Sequence, residues 1–480
     1  MSKLVLVSFL AAGGAALAVM GASRPGSRDA PDPPPRPAVD AGVAAAHSSH
    51  KRASLPETAP RAGGCADLYA AGDFALLSAY DAPTAIPELA RPQKGVGVRE
   101  PTFGTCLVRA TDRQADYPNG GFLRNDYSRR QAFNADDSRY LAFSTDGYWH
   151  LYDAANFKHL GVLKGLAGDA EPQWQPNDPQ RLDYLPLNGG TVIDQIDIRR
   201  GASKVVADLK AALPAWGATA EHIWTKSEGS PSADGRYWGF QVENGKFELL
   251  GFLVWDQQNQ RVVGAREGSE RPDHVSMTPS GRWFTISDDD TGTWAWSPDF
   301  TQKKKLHHKS EHSDLAIGAD GHDVYVSIDY QSNGGDVFYA DVDACPAVPA
   351  DVRDAPVCPR TVLFRSYVNG SVGAMHFSGK AYDRPGWVLV STYGTTPQRN
   401  GALPWFADKI FALELKDKPR ALGIAYHRSI GVTGLGYWSE PQATVDRGFR
   451  RIQFSSSWQS TNEGDIEAYQ VLLPDGVLDE

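Results

Sequence analysis

Seven copies of one short pattern run along this chain, and repetition of that kind limits the possible folds more than any single motif. Each copy has a polar residue, a short segment, a turn usually carrying Asp or Gly, and then alternating aromatic and aliphatic residues. The copies begin at Gln131 (QAFNADDSRYLAFS), Gln173 (QWQPNDPQRLDYLP), Glu228 (EGSPSADGRYWGFQ), His274 (HVSMTPSGRWFTIS), His312 (HSDLAIGADGHDVYVS), His376 (HFSGKAYDRPGWVLVS) and Gln442 (QATVDRGFRRIQFSS). A second strand-like run follows each, from YWHLYD at Tyr148 to DIEAYQVLL at Asp465. Alternation at a period of two marks strands with one buried face. The copies lie at or beyond the ~40–45 residues usual for a propeller blade, which leaves room for inserted loops, whereas a solenoid needs tighter and more uniform repeats. The expected fold is therefore all-β, a seven-bladed β-propeller. Composition agrees, since 47 Gly, 32 Pro, 13 Trp and 18 Tyr against only 4 Met favour short strands and tight turns over amphipathic helices.

The last copy has room for two strands before Glu480, while GTCLVRAT from Gly104 is a strand with no copy of its own. Pairing it into the last blade closes the ring with N- and C-terminal strands together and removes exposed edges. The propeller is expected over residues 65–480. Ahead of it, Lys3, the apolar stretch Leu4 to Met20 and the small residues Gly21, Ala22 and Ser23 read as a secretory signal over 1–23, with an uncleaved anchor as the other reading. Residues 24–64 are rich in Pro and Ala with almost no large apolar side chains, so they are expected to form a disordered linker. The protein is then periplasmic or secreted, with no stable membrane insertion after signal cleavage.

The four cysteines fit an oxidising compartment. Of three connectivities, the sequence-local one, Cys65 with Cys106 and Cys345 with Cys358, is favoured; no CxxC supports a cysteine metal site. A formal charge of −10 without a basic stripe excludes nucleic acid as a partner. No GxSxG, HExxH or P-loop occurs, so serine hydrolase, zincin and NTPase chemistry lack motif support.

In a propeller the innermost strands line a central channel, and equivalent residues of successive blades form a ring around it. That ring is expected to contain Gln131, Gln173, Glu228, His274, either His312 or Asp314, His376 and Gln442. Counting back from the Asp320-Gly321 turn reaches Asp314, and His312 requires a two-residue bulge. None of these residues is apolar, which suggests a wet mouth facing a ligand. Imidazoles beside carboxylate and amide oxygens suit a divalent transition metal such as Mn or Zn, and imidazole also moves protons near neutral pH. His274, His312, His376, Glu228 and Gln442 are the candidate metal ligands, and Gln131, Gln173 and Asp314 the candidate substrate contacts. The competing reading is that these groups bond blade turns and channel water. Elsewhere, KKKLHHK from Lys303 reads as a solvated loop, Asp288 to Asp290 as a turn, Trp238, Trp283, Trp294 and Trp387 as inter-blade core, and Trp458 as a platform that could stack on a sugar.

GTCLVRAT, RRQAFNADDSRYLAF, the histidine-led copies at His274 and His312, SEPQATVDRGFRRIQFSSSW and EAYQVLLP together resemble oligogalacturonate lyase and the wider TolB-like propellers, over about Gly104 to Asp475. The resemblance implies a metal held by histidines and a glutamine at the channel mouth, and a histidine and an arginine serving β-elimination of a uronide. His274 corresponds to one of the family's histidine-led blades. This chain departs in its last blade, with Pro441-Gln442 where the family has a His-Pro-His pair. On this resemblance His274, His312, His376 and Arg384 are the candidate catalytic residues, and the protein is a polysaccharide lyase acting on an acidic oligosaccharide. The alternative is a non-catalytic TolB-like or WD40-like propeller that binds a glycan or a cell-envelope protein.

Overall fold

The computed structural model describes residues 65–70, 74–270, 272–430 and 435–479; the expected signal (1–23) and linker (24–64) lie outside the described residues. Seven antiparallel sheets of four or five strands form seven propeller blades. Their innermost strands are, in order, Leu123–Arg124, Gln173–Trp174, Ala220–Trp224, Pro272–Met277, Ser313–Ile317, Ala374–Ser378 and Thr444–Val445. Within a blade the chain meanders outward from the inner strand, except that Val348–Pro349, from the loop before the last strand of blade five, adds to the outside of blade four and the last blade takes its outer strands from the N-terminal side. The α-helices Cys65–Leu68 and Arg113–Asp116 are one turn each. No helix among the described residues is long and apolar enough to cross a membrane.

The ring closes as the unpaired N-terminal strand requires. Cys106–Arg109 pairs with Glu467–Leu472, with Cys106 opposite Leu472 and Arg109 opposite Tyr469, and Gly97–Arg99 adds outside it. The closing strand is tied down by the Cys65–Cys106 disulfide, and Cys345–Cys358 forms the second bridge. Linking residues 41 positions apart stabilises a fold by about 2–4 kcal/mol, mainly by restricting the unfolded chain.

Turn chemistry explains the repeat. Gly235, Gly281, Gly321 and Gly386 occupy the hairpins after the inner strands of blades three to six, with φ between 73° and 86°. Glycine enters that left-handed region without the Cβ clash other residues meet. Blades then pack face to face through large apolar side chains, and one glycine exists to allow it. A Cβ on Gly239 in blade three would collide with the ring of Phe284 and the sulfur of Met277 in blade four. Gly239→Val is expected to cost about 1–3 kcal/mol by overpacking, read as a lower denaturant midpoint with an unchanged slope.

The lysine run is not a solvated loop. Gln302–His307 is a strand of blade four, in which Lys303 lies 4.7 Å from the centroids of both Trp294 and Trp296. Lys304 is buried, 4.1 Å from the Trp283 centroid, and donates to the Val342 carbonyl at 2.7 Å. Aromatic faces attract the ammonium groups while the aliphatic stems pack. Asp288 does cap a turn, its Oδ1 accepting from the main-chain N–H groups of Asp290 and Thr291. Trp458 stacks on Tyr469 and donates to the Leu89 carbonyl, which commits it to packing.

Candidate functional site

Two inner strands are interrupted, and the interruptions build the centre of the molecule. In blade one the ladder pairs Arg124 with Phe143 and resumes where the Leu141 N–H donates to the Ala132 carbonyl and Phe133 lies opposite Tyr140, so residues 125–131 leave the sheet. In blade three it pairs Trp224 with Gln241 and resumes where Ser232 donates to the Tyr237 carbonyl, so residues 225–231 leave it likewise. The two excursions hold each other. Ser230 Oγ donates to the Arg129 carbonyl at 2.9 Å, and Arg130 Nη2 to the Ser227 carbonyl at 2.6 Å. Thr444 Oγ1 of blade seven donates to the Arg130 carbonyl, and Arg129 Nη2 reaches Ser313 Oγ of blade five at 3.4 Å. A segment bonded by blades three, five and seven lies across the axis.

Arg129 is the hub. It is 4 % exposed and ion-pairs with Glu228 at 2.9 Å. Glu228 Oε2 lies 3.7 Å from His274 Nδ1, which is 3.4 Å from Asp273 Oδ2. On the same side His312 stacks on His376 with centroids 4.6 Å apart, and His376 stacks on Tyr393 at 4.9 Å. His376 Nε2 meets Glu440 Oε2 at 2.8 Å. Tyr127 closes edge-on over His376, and Arg129 is close enough to both histidines to disfavour their protonation.

Burial sets the charges. Removal from water, then the nearby Arg129 cation, lowers His376 to about 3. Burial, then His376, lowers His312 to about 4. Glu440 moves the other way, up to about 7, because burial outweighs the opposing pull of His312, Gln442 and Arg124. Asp273 stays below the usual carboxylate range: burial raises it, but the hydrogen bond and charge of His274, helped by Arg129, lower it further. At neutral pH both histidines are therefore uncharged, and Glu440 holds a proton part of the time. His312 Nδ1 lies 3.0 Å from the Met375 carbonyl, which can only accept. Its hydrogen is therefore on Nδ1, and the lone pair of Nε2 is the basic site.

Linkage gives this a measurable sign. A carboxyl raised from 4.5 to about 7 adds stability that is complete below pH 4.5 and is lost as pH rises through 7, about 3 kcal/mol in all. Glu440→Gln keeps a neutral donor facing His376, and is expected to remove that loss when denaturant midpoints at pH 4.5 and 8 are compared with the parent. The histidines act oppositely: their contribution is present above pH 6.5 and disappears as pH falls through about 4 and 3.

The expected ring is realised in part. His274, His312, His376 and Glu228 converge around Arg129. Glu228 does not head an inner strand, however, but sits on the excursion after Ala220–Trp224. Gln131 and Gln173 instead join blades: Gln131 Nε2 donates to the Val445 carbonyl and Gln173 Nε2 to the Gly229 carbonyl. Both also line a separate cleft with Lys380, Tyr382 and Arg447. Asp314 is bound to Lys380 Nζ at 3.0 Å and to the Gly379 N–H at 2.7 Å, and is 4 % exposed. Gln442 Oε1 accepts from Arg124 Nη1 at 3.0 Å. Arg384 lies in the turn after Ala374–Ser378, paired with the exposed Asp479 at 2.7 Å, and Arg129 is the cation among the histidines. Arg129, Glu440, Asp273, Tyr127 and Tyr393 were not singled out from sequence. Three arginines at 124, 129 and 130, just ahead of the first repeat, were the available signal.

Part of the metal set implied by the lyase resemblance is bonded elsewhere, at His376 and Gln442, while His312 donates from Nδ1 and keeps Nε2 open. His376 Nε2 is bonded to Glu440, His312 Nδ1 to Met375, and Gln442 to Arg124. Glu228, Asp273 and His274 do offer two carboxylates and an imidazole whose ligand atoms lie within 4.8 Å of one another.

No protein-family model matches the chain, and no curated protein does. Solved structures do. An oligogalacturonate lyase in complex with manganese is 15% identical with a TM-score of 0.51, covering 80% of this chain and 97% of that one. An oligogalacturonate lyase from Vibrio parahaemolyticus is 11% identical with a TM-score of 0.53 and the same coverage. The WD40 domain of Neurospora crassa Pan2 is 12% identical, with a TM-score of 0.42, over 77% of this chain and 94% of that one. The chain thus bears a loose resemblance to oligogalacturonate lyases over the whole propeller, and at these identities the likeness is one of fold.

Proposed function

We propose that this protein is an exported lyase that cleaves an acidic oligosaccharide by β-elimination at the axial cluster. The observation that carries the reading is the stack of His312 on His376, with His376 bonded to Glu440, beside Arg129. Uronide elimination needs a cation for the carboxylate, a base for the C5 proton and an acid for the leaving oxygen. Arg129 supplies the cation. His312 Nε2, on the half-buried histidine, takes the C5 proton; the C5–H electrons form the C4=C5 double bond as the C4–O4 bond breaks. Glu440 delivers its proton to O4, and His376 holds the carboxyl in place. Glu228, Asp273 and His274 would hold a divalent Mn or Zn ion, which supplies a second positive charge for a substrate carboxylate. Two disulfides fit a periplasmic or secreted location.

A second reading has its own support. His376 and Glu440 are 1 % and 5 % exposed, so substrate reaches them only by displacing part of their cover. A non-catalytic propeller that binds a glycan or an envelope protein on its face requires no such opening. The test is incubation with a panel of uronate oligosaccharides, following the near-ultraviolet absorbance of the conjugated double bond. A new unsaturated product supports the lyase; saturable binding without product from any member of the panel favours the binding module.

A further inference from the structure

A second group of ligating side chains lies away from the axial cluster, where blades four and five meet. His307 ends the blade-four strand Gln302–His307, His308 follows it, and Asp329 ends the blade-five strand Asp323–Asp329. One ligand atom from each falls within 4.8 Å of the others. His308 Nε2 lies 3.7 Å from Asp329 Oδ1, and the two imidazoles meet edge to face at 4.4 Å.

The second observation is His307 itself. Its side chain is fully buried, yet neither ring nitrogen makes a well-formed hydrogen bond among the described residues, the main chain of Ile328 being a polar neighbour. Burying an imidazole in that condition is costly unless something takes up its lone pair. Apolar packing does not explain the choice of residue, because a leucine would fill the space without the penalty. Asp329 is also oriented for the purpose. Arg360 Nη1 holds its Oδ2 at 2.7 Å, while Oδ1 accepts from the main chain of Gln331 and Ser332 at 3.1 Å and faces His308. Carboxylates that ligate metals are themselves held in place by hydrogen bonds, as Asp329 is here by Arg360 and two main-chain N–H groups.

We propose that His307, His308 and Asp329 form a binding site for a divalent transition metal of the zinc class, clipping blade four to blade five. Two imidazoles and one carboxylate are a ligand set that zinc accepts, with a fourth position left for water. His308 is 42 % exposed at its side chain, so the ion has a route in. The site shares no residue with the axial group of Glu228, Asp273 and His274, and stands whether or not the protein is a lyase.

The test uses the full mature chain, stripped with chelator and titrated with Zn²⁺ by calorimetry and with Co²⁺ by visible absorbance. Glu228→Gln serves as the background in which the axial group is impaired. The expected result is one equivalent of Zn²⁺ bound in that background, with a tetrahedral Co²⁺ spectrum and a raised melting temperature. His308→Ala, at an exposed position, is expected to weaken binding by more than about 100-fold, since loss of an outer-shell partner alone costs about 10–100-fold. His307→Leu is expected to abolish the Co²⁺ spectrum while the protein remains folded. Binding unchanged in both variants, or no binding in the Glu228→Gln background, overturns the proposal.

Discussion

Replacing Lys380 by methionine is expected to destabilise the protein by about 3–5 kcal/mol, although the new side chain is only one atom shorter and is wholly apolar. Lys380 and Asp314 have side chains only 3 % and 2 % exposed and meet at 3.0 Å across blades five and six. Without the ammonium, Asp314 keeps the Gly379 and Leu315 N–H groups as partners but remains a buried carboxylate that has lost the cation bonded to it. Lys380→Met combined with Asp314→Asn is expected to recover much of the loss, because a neutral amide still accepts from Gly379. Denaturant midpoints of the two singles and the double give the coupling directly. Simple additivity would show that the pair is not a unit, and would release Asp314 for the substrate contact its sequence position suggested.

Under the proposed elimination, loss of His312 is the largest effect expected on catalysis. His312→Ala is expected to lower kcat by about 10²–10⁴-fold, the usual worth of a positioned base, with KM little changed because Arg129 still meets the carboxylate. The pH profile discriminates further. The proposed elimination needs His312 deprotonated, which holds above about 4, and Glu440 protonated, which holds below about 7. The rate should therefore peak on the acid side of neutrality, the two limits belonging to the coupled cluster as a whole. Glu440→Gln removes the proton donor, so kcat is expected to fall and the alkaline limb to flatten. An alkaline optimum, or a Glu440→Gln profile that keeps its alkaline limb, would argue against Glu440 as the acid.

Much of this architecture is legible without coordinates. The turn glycines at 235, 281, 321 and 386 mark hairpins because the φ they adopt excludes most other residues. GTCLVRAT implied its own partner, since an orphan strand beside an incomplete blade has one place to go. The histidines at 274, 312 and 376 could be named because they head their copies. Gln131, Gln173 and Asp314 matched the same pattern yet serve blade-to-blade bonds. A polar residue on an inner strand satisfies its neighbour's backbone as readily as it meets a ligand, and sequence position does not separate the two.

The sequence by itself determined the blade number and the mode of closure, and favoured one of three cysteine pairings, the one the structure shows. Blade number and closure follow from local periodicity and from the need to leave no strand edge unpartnered. Only the tertiary structure decided which polar groups meet. Arg129 and Glu228 sit on excursions where the inner strands of blades one and three break off, and Glu440 reaches His376 from sixty-four residues away. Such contacts depend on where a loop goes once it leaves the ladder. No periodicity governs that path; it is fixed by long-range hydrogen bonds and ion pairs that exist only after the ring has closed.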